Sequence, residues 1–230
     1  MVANQTKRSR TDHPCQREER SCEERKHEMD KLKKKYAKLF QRAEEHVKEW
    51  NVERNIAAAL VNNVANMLAR LPVLQRKELF EEYEAWPDMQ EETLMMQLEA
   101  LERAMARLVE TVDELEKYTA CLKKTARHAK QLLRSELDGR KSSTVRRTAA
   151  PMGDGPSIDE CIHDLEEIAR MHEDEISLKK MLVSEIHYET KEQDMAIIAR
   201  MIADDPLVDK ACVTSIFERA KFLKEVQGLE

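Results

Sequence analysis

Apolar residues recur at alternating spacings of four and three along two long stretches of the chain. Leu32, Tyr36, Leu39, Ala43, His46, Trp50, Glu53, Ala57, Leu60, Val64, Met67 and Leu71 hold this register in the first. Leu94, Leu98, Leu101, Met105, Leu108, Val112, Leu115, Thr119, Leu122, Ala126, Ala129 and Leu133 hold it in the second. A period of seven places each set along one side of a long helix with a buried seam.

Pro72 ends or kinks the first helix, and a shorter amphipathic piece runs from Val73 to Tyr83. "AWPDMQEE" then restarts the chain, with Asp88 and Glu91 spaced for a capping box. The second helix runs to about Leu137, where Asp138 and Gly139 stop it. "GRKSSTVRRTAAPMGDGP" is basic, polar and rich in glycine, and reads as a flexible linker. Helix reopens at Ser157, again with a glutamate three residues on, and carries Ile158, Ile162, Leu165, Ala169, Ile176, Val183 and Ile186 on one stripe. Thr190 and Gln193 form another box for a short helix, and Asp205 is placed to cap the last one with Pro206 in its first turn.

The fold class expected is all-α: a long antiparallel helical hairpin, coiled-coil-like, with a smaller C-terminal helical bundle. Its divisions are a disordered charged arm at 1–28, the hairpin at 29–137, a basic and glycine-containing linker at 138–156, and the C-terminal helical segment at 157–230. The two hairpin helices are each expected to be about 60 Å long.

Composition agrees with this and narrows the chemistry. Of 230 residues, 37% are charged and only 4% aromatic, with four glycines, a mixture that favours long amphipathic helices over a sheet. A net charge of −6 gives no global pull toward nucleic acid or an anionic membrane. Five cysteines without a C-x-x-C spacing argue against a disulfide framework or structural zinc, and fit a reducing compartment. No secretory leader is expected and no run of about 20 apolar residues to span a bilayer, so the localisation expected is cytoplasmic or nuclear.

The second seam resembles a leucine zipper, but a DNA-gripping zipper needs a basic helix immediately before its first leucine. "FEEYEAWPDMQEET" stands there, acidic and broken by Pro87. The flanks Met95, Ala104, Val109, Thr111 and Tyr118 are mostly neutral or apolar, so the stripe faces more than one neighbour, as in a bundle. The seam Leu94, Leu98, Leu101, Met105, Leu108, Val112, Leu115 and Leu122 is therefore structural. Specific nucleic-acid binding is not expected, because the basic residues lie beside no stacking aromatics. Glu160 and His163 have the E-x-x-H spacing of di-iron bundles, yet no second inward copy exists to complete such a site. No catalytic, cofactor-binding or metal-ligating residues are expected, and no enzymatic activity. Ser142, Ser143 and Thr144, inside "RKSSTVRR", are candidate phosphorylation sites. "IDECIHDLEEIARMHEDE" carries eight acidic residues and reads as the solvated face of a helix, or less often as a dock for a basic partner.

"PSIDECIHDLEEIARMHEDEISLKKMLVSEI", "AWPDM" before the leucine-rich helix, and the C-terminal "SIFERAKFLKE" resemble the AAA ATPase-interacting ribosome maturation factors, the AIRIM family. The resemblance covers about Leu79 to Glu225. It implies a non-catalytic helical subunit of a complex built on SPATA-type AAA ATPases, which acts late in maturation of the large ribosomal subunit and extracts an assembly factor for recycling. A second helical subunit, similar to the cyclin-dependent-kinase-interacting protein CINP, accompanies it. "VNNVANM" and "LKKMLVSEI" also make this chain similar to CINP itself, a replication-associated adaptor. The same heptads would serve a structural coiled-coil or tethering subunit. With these partners in view, the wide stripe Val213, Ile216, Phe217, Ala220, Phe222 and Leu223 near the C-terminus is the expected docking surface.

Overall fold

The computed structural model describes residues 14–76, 78, 80, 88–138, 151–152 and 155–225. Five helices lie among them: α1 (Pro14–Leu74), α2 (Met89–Asp138), α3 (Ile158–Ser184), α4 (Glu192–Asp204) and α5 (Lys210–Glu225). Two extended segments, β1 (Pro151–Met152) and β2 (Gly155–Ser157), pair antiparallel just before α3. The fold is the expected all-α hairpin with a smaller helical C-terminal part.

The hairpin is antiparallel. Near one end the Tyr36 hydroxyl donates to the Ala129 carbonyl at 3.0 Å, and toward the other the Gln97 side chain donates to the Met67 carbonyl at 3.3 Å. Leu101, Leu108, Val112, Leu115 and Leu122 are buried between the helices, while Leu94, Leu98 and Met105 are half-buried. α1 contributes Tyr36, Ala43, Trp50, Ala57, Val64 and Leu71 to the same seam. It also buries Phe40, Val61 and Leu68, one helical step to the side, because α1 packs on the C-terminal helices as well.

Length departs from expectation. α1 has 61 residues and starts at Pro14, inside the stretch read as an arm, and it continues two residues past Pro72. Proline is suited to a helix's first turn, where its missing amide has no partner to lose. Within His27–Leu74 one 18-residue stretch reaches a mean hydropathy of 1.3, long and apolar enough by composition to cross a membrane, where none was expected. Val61, Val64, Leu68 and Leu71 turn to the interior, but 28% of the stretch is buried in all, and the helix exposes Ile56, Asn62, Asn63 and Asn66 there. Residues 77, 79 and 81–83 of the piece from Val73 to Tyr83, the linker residues 139–150 and residues 1–13 lie outside the described residues.

Capping differs from helix to helix. Ser157 caps α3 as expected: its hydroxyl accepts from the Glu160 amide at 3.2 Å, and the Glu160 carboxylate accepts from the Ser157 amide at 2.7 Å. That amide holds the Glu160 carboxyl below its ordinary range. The Thr190–Gln193 box does not form. Lys191 precedes α4 with no side-chain cap, and the Thr190 hydroxyl instead accepts from the His187 amide. Asp205 is not the cap of the last helix but the residue that ends α4. Asp209 starts α5, its carboxylate accepting from the Cys212 amide at 2.9 Å.

α3 lies along α2, tied by three ion pairs at intervals of seven: Glu116–Lys180, Lys123–Glu173 and Lys130–Glu166. α4 and α5 pack chiefly on α1.

Candidate partner-binding groove and its ionic floor

On α3, Glu175 and Lys179 are one turn apart, a spacing that on an exposed helix makes a solvated pair. Here both are fully buried. The Lys179 ammonium lies 3.0 Å from Glu175 Oε1 and 2.8 Å from Asp205 Oδ1, and it donates to the Ile202 carbonyl at 2.7 Å. Arg54 of α1 donates to Asp205 Oδ2 at 2.7 Å, and Glu175 Oε2 accepts the Leu207 amide at 2.8 Å. Two cations and two carboxylates thus neutralise one another where α1, α3, α4 and the α4–α5 turn meet. Asp205 reaches this position with a left-handed backbone, φ 50°, which the turn after α4 requires and which Asp tolerates better than most residues.

His172 sits one turn before Glu175. Its Nδ1 is 2.8 Å from the Ile168 carbonyl, and since a carbonyl only accepts, Nδ1 carries the proton. Burial is the main cause that lowers its pKa, against smaller opposing effects of the Ile168 carbonyl and Asp205. The Trp50 ring meets it edge-on, with centroids 5.0 Å apart.

Trp50 and His172 also line a groove of about 540 Å³ between α1 and α5. Val47, Val213 and Phe217 supply its apolar surface, and Lys48, Lys210, Lys221 and Glu218 its exposed charges. An apolar slot with charged edges suits a side chain or short segment of another protein.

Of the docking stripe expected on α5, Val213, Ile216, Ala220 and Leu223 are interior. α5 touches both α1 and the segment leading into α3, so the breadth of its stripe is used within the chain. What it leaves to a partner is Phe217 at the groove and Phe222, 49% exposed. Ser142, Ser143 and Thr144 lie outside the described residues. Glu160 is engaged in its cap and His163 is exposed. Cys161 is buried, its thiol pushed up to about 12 chiefly by desolvation, so it is not a nucleophile at neutral pH.

The acidic run of α3 is only partly a solvated face. Asp164 is buried and accepts from Arg219 of α5 at 2.7 Å, Glu166 and Glu173 pair with α2, and Glu175 is interior. A signal for the ionic cluster was present in the register. Cys161, Leu165, Ile168, His172, Glu175, Lys179, Leu182 and Ile186 alternate in fours and threes, and all are buried. Two charges on an apolar seam mark an internal ion pair.

Residues 30–221, which take in the hairpin, the ionic cluster and nearly all of α5, match the family described as CA109-like, ribosome biogenesis protein C1orf109-like. The chain belongs to this family. The match is consistent with the AIRIM resemblance, and it runs through both the hairpin and the C-terminal helices, which therefore form one family unit. No curated protein matches the chain in sequence. Membership in this C1orf109-like family points to ribosome biogenesis.

Proposed function

We propose that the chain is a non-catalytic helical adaptor of an AAA ATPase complex acting late in maturation of the large ribosomal subunit, in the cytoplasm or nucleus. Its partners in this reading are SPATA-type ATPase subunits and a CINP-like helical subunit, and the ATPase supplies the chemistry. The observation that carries the reading is the family match over residues 30–221. The groove between α1 and α5, lined by Phe217, is the docking surface we assign to these partners, with exposed Phe222 on the same helix as a further contact.

The test is purification of the tagged protein at native level, followed by mass spectrometry. Recovery of AAA ATPase subunits in near-stoichiometric amount, reduced by Phe217→Ala together with Phe222→Ala, is the expected result. Absence of any ATPase from a preparation whose bait is intact and folded overturns the adaptor reading.

A further inference from the structure

One face of α1 has no neighbour among the described residues. In a protein that is 37% charged, residues 55–69 contain no charged side chain. Yet Asn55, Ile56, Ala59, Asn62, Asn63, Asn66 and Ala69 are all exposed. Val52 and Ile56 stand 59% and 39% exposed, and with Asn55, Ala59, Leu60 and Asn63 they line a shallow groove of about 500 Å³ on the helix surface. The outermost positions, Val52, Ile56, Ala59, Asn63 and Asn66, again alternate in fours and threes, the spacing that accepts a second helix lying lengthwise. Glu49 and Arg70, both exposed, close the stripe with opposite charges at its two ends.

We infer that this face pairs with the same face of a second copy, the two α1 helices running antiparallel and crossing between Ala59 and Leu60. The charges choose the occupant and the direction. In that register Glu49 of each copy faces Arg70 of the other, Ile56 faces Asn63, and small Ala59 lies at the two-fold axis, where backbones approach most closely. A parallel pair would set Glu49 against Glu49 and Arg70 against Arg70. The uncharged centre lets two chains of net charge −6 meet without like-charge contact. A single helical stripe is a small interface, so the dimer is weak, with a dissociation constant in the micromolar range. The pairing is independent of the adaptor reading, since the groove at α5 lies on another face of α1.

Sedimentation equilibrium of the full chain over roughly 1–300 µM brackets such a constant. The 26.8 kDa chain should pass from monomer to dimer across that range. Ile56→Glu, at an exposed position where folding is not at stake, should weaken the dimer by about tenfold or more. Glu49→Arg and Arg70→Glu should each weaken it severalfold, and the two together should restore it. A chain that stays monomeric, a dimer indifferent to Ile56→Glu, or a double charge reversal that fails to restore pairing overturns the inference. A monomer whose Ile56→Glu variant instead loses the companion subunit also overturns it, and assigns the face to a different protein while leaving the adaptor reading intact.

Discussion

The two junctions that hold α1 in place are built on opposite principles. Toward α2 it presents Tyr36, Ala43, Ala57, Val64 and Leu71 against a column of leucines, an almost wholly apolar seam. Toward α3 and α4 it presents Arg54 to a knot of buried charge. The leucine seam is stabilised by area removed from water, spread over many side chains, so each loss is graded and local. At the ionic junction attraction nearly balances desolvation, so the intact cluster contributes little net energy while any one deletion leaves a charge stranded.

Lys179→Ala should therefore be the most damaging single truncation, at about 3–5 kcal/mol, measured by urea unfolding. Glu175 and Asp205 would face each other with only Arg54 remaining beside Asp205. Replacing the three fully interior members together, Lys179→Met with Glu175→Leu and Asp205→Asn, while part-exposed Arg54 keeps its access to water, should recover most of that loss. A triple variant no more stable than Lys179→Ala would show that the ions contribute net energy, and the contrast with the seam would be wrong.

Leu108→Ala comes next. Leu108 is 1% exposed at the middle of the seam, and its truncation should cost about 2–5 kcal/mol. Leu108→Met should cost less than about 1.5 kcal/mol, because volume rather than identity matters there. A seam that resisted both changes equally would not be a packed interior.

Smaller effects follow on the ionic side. His172 has a lowered pKa in the fold, so it stays neutral there while the unfolded chain takes up a proton as pH falls below its ordinary value of 6.5. Stability from this group is present above about pH 6.5 and is lost as pH drops toward the folded-state pKa. The melting temperature should fall between pH 7 and 5, and His172→Phe should flatten that dependence; an unchanged slope would show that the imidazole is not desolvated. Ser157→Ala should cost about 1 kcal/mol through the lost cap. Lys123→Ala, which breaks an exposed pair with Glu173, should cost under about 1 kcal/mol.

The contrast also explains what could be read from the sequence. The seam was legible because Leu101, Leu108, Leu115 and Leu122 repeat the same chemistry at a fixed period. α1's second row, Phe40, Val61 and Leu68, was not, since nothing in the first 74 residues says that helices beyond the linker will cover it. Glu175 reads as surface within the acidic run because charge usually means water, and its pairing with Lys179 depends on Asp205, which is distant in sequence and brought in by a left-handed turn. The stripe of α5 was legible as apolar but not as interior. Its breadth has the same appearance whether the second neighbour is the chain itself or another protein.

The ion pairs between α2 and α3, at Glu116–Lys180, Lys123–Glu173 and Lys130–Glu166, repeat every seven residues on both helices. Rungs of one polarity would be translationally degenerate, but Glu116–Lys180 is reversed relative to the other two: sliding α3 by one heptad sets Glu116 against Glu173, or Lys123 against Lys180, and only one rung re-forms. The neighbouring alignment, about 10 Å away, thus carries a like-charge contact that the native one lacks. Lys179, reaching to Asp205 and Ile202 beyond the ladder, marks the same register from another side. The reversed rung acts as the index mark of a vernier: the other two alone would not tell one heptad from the next.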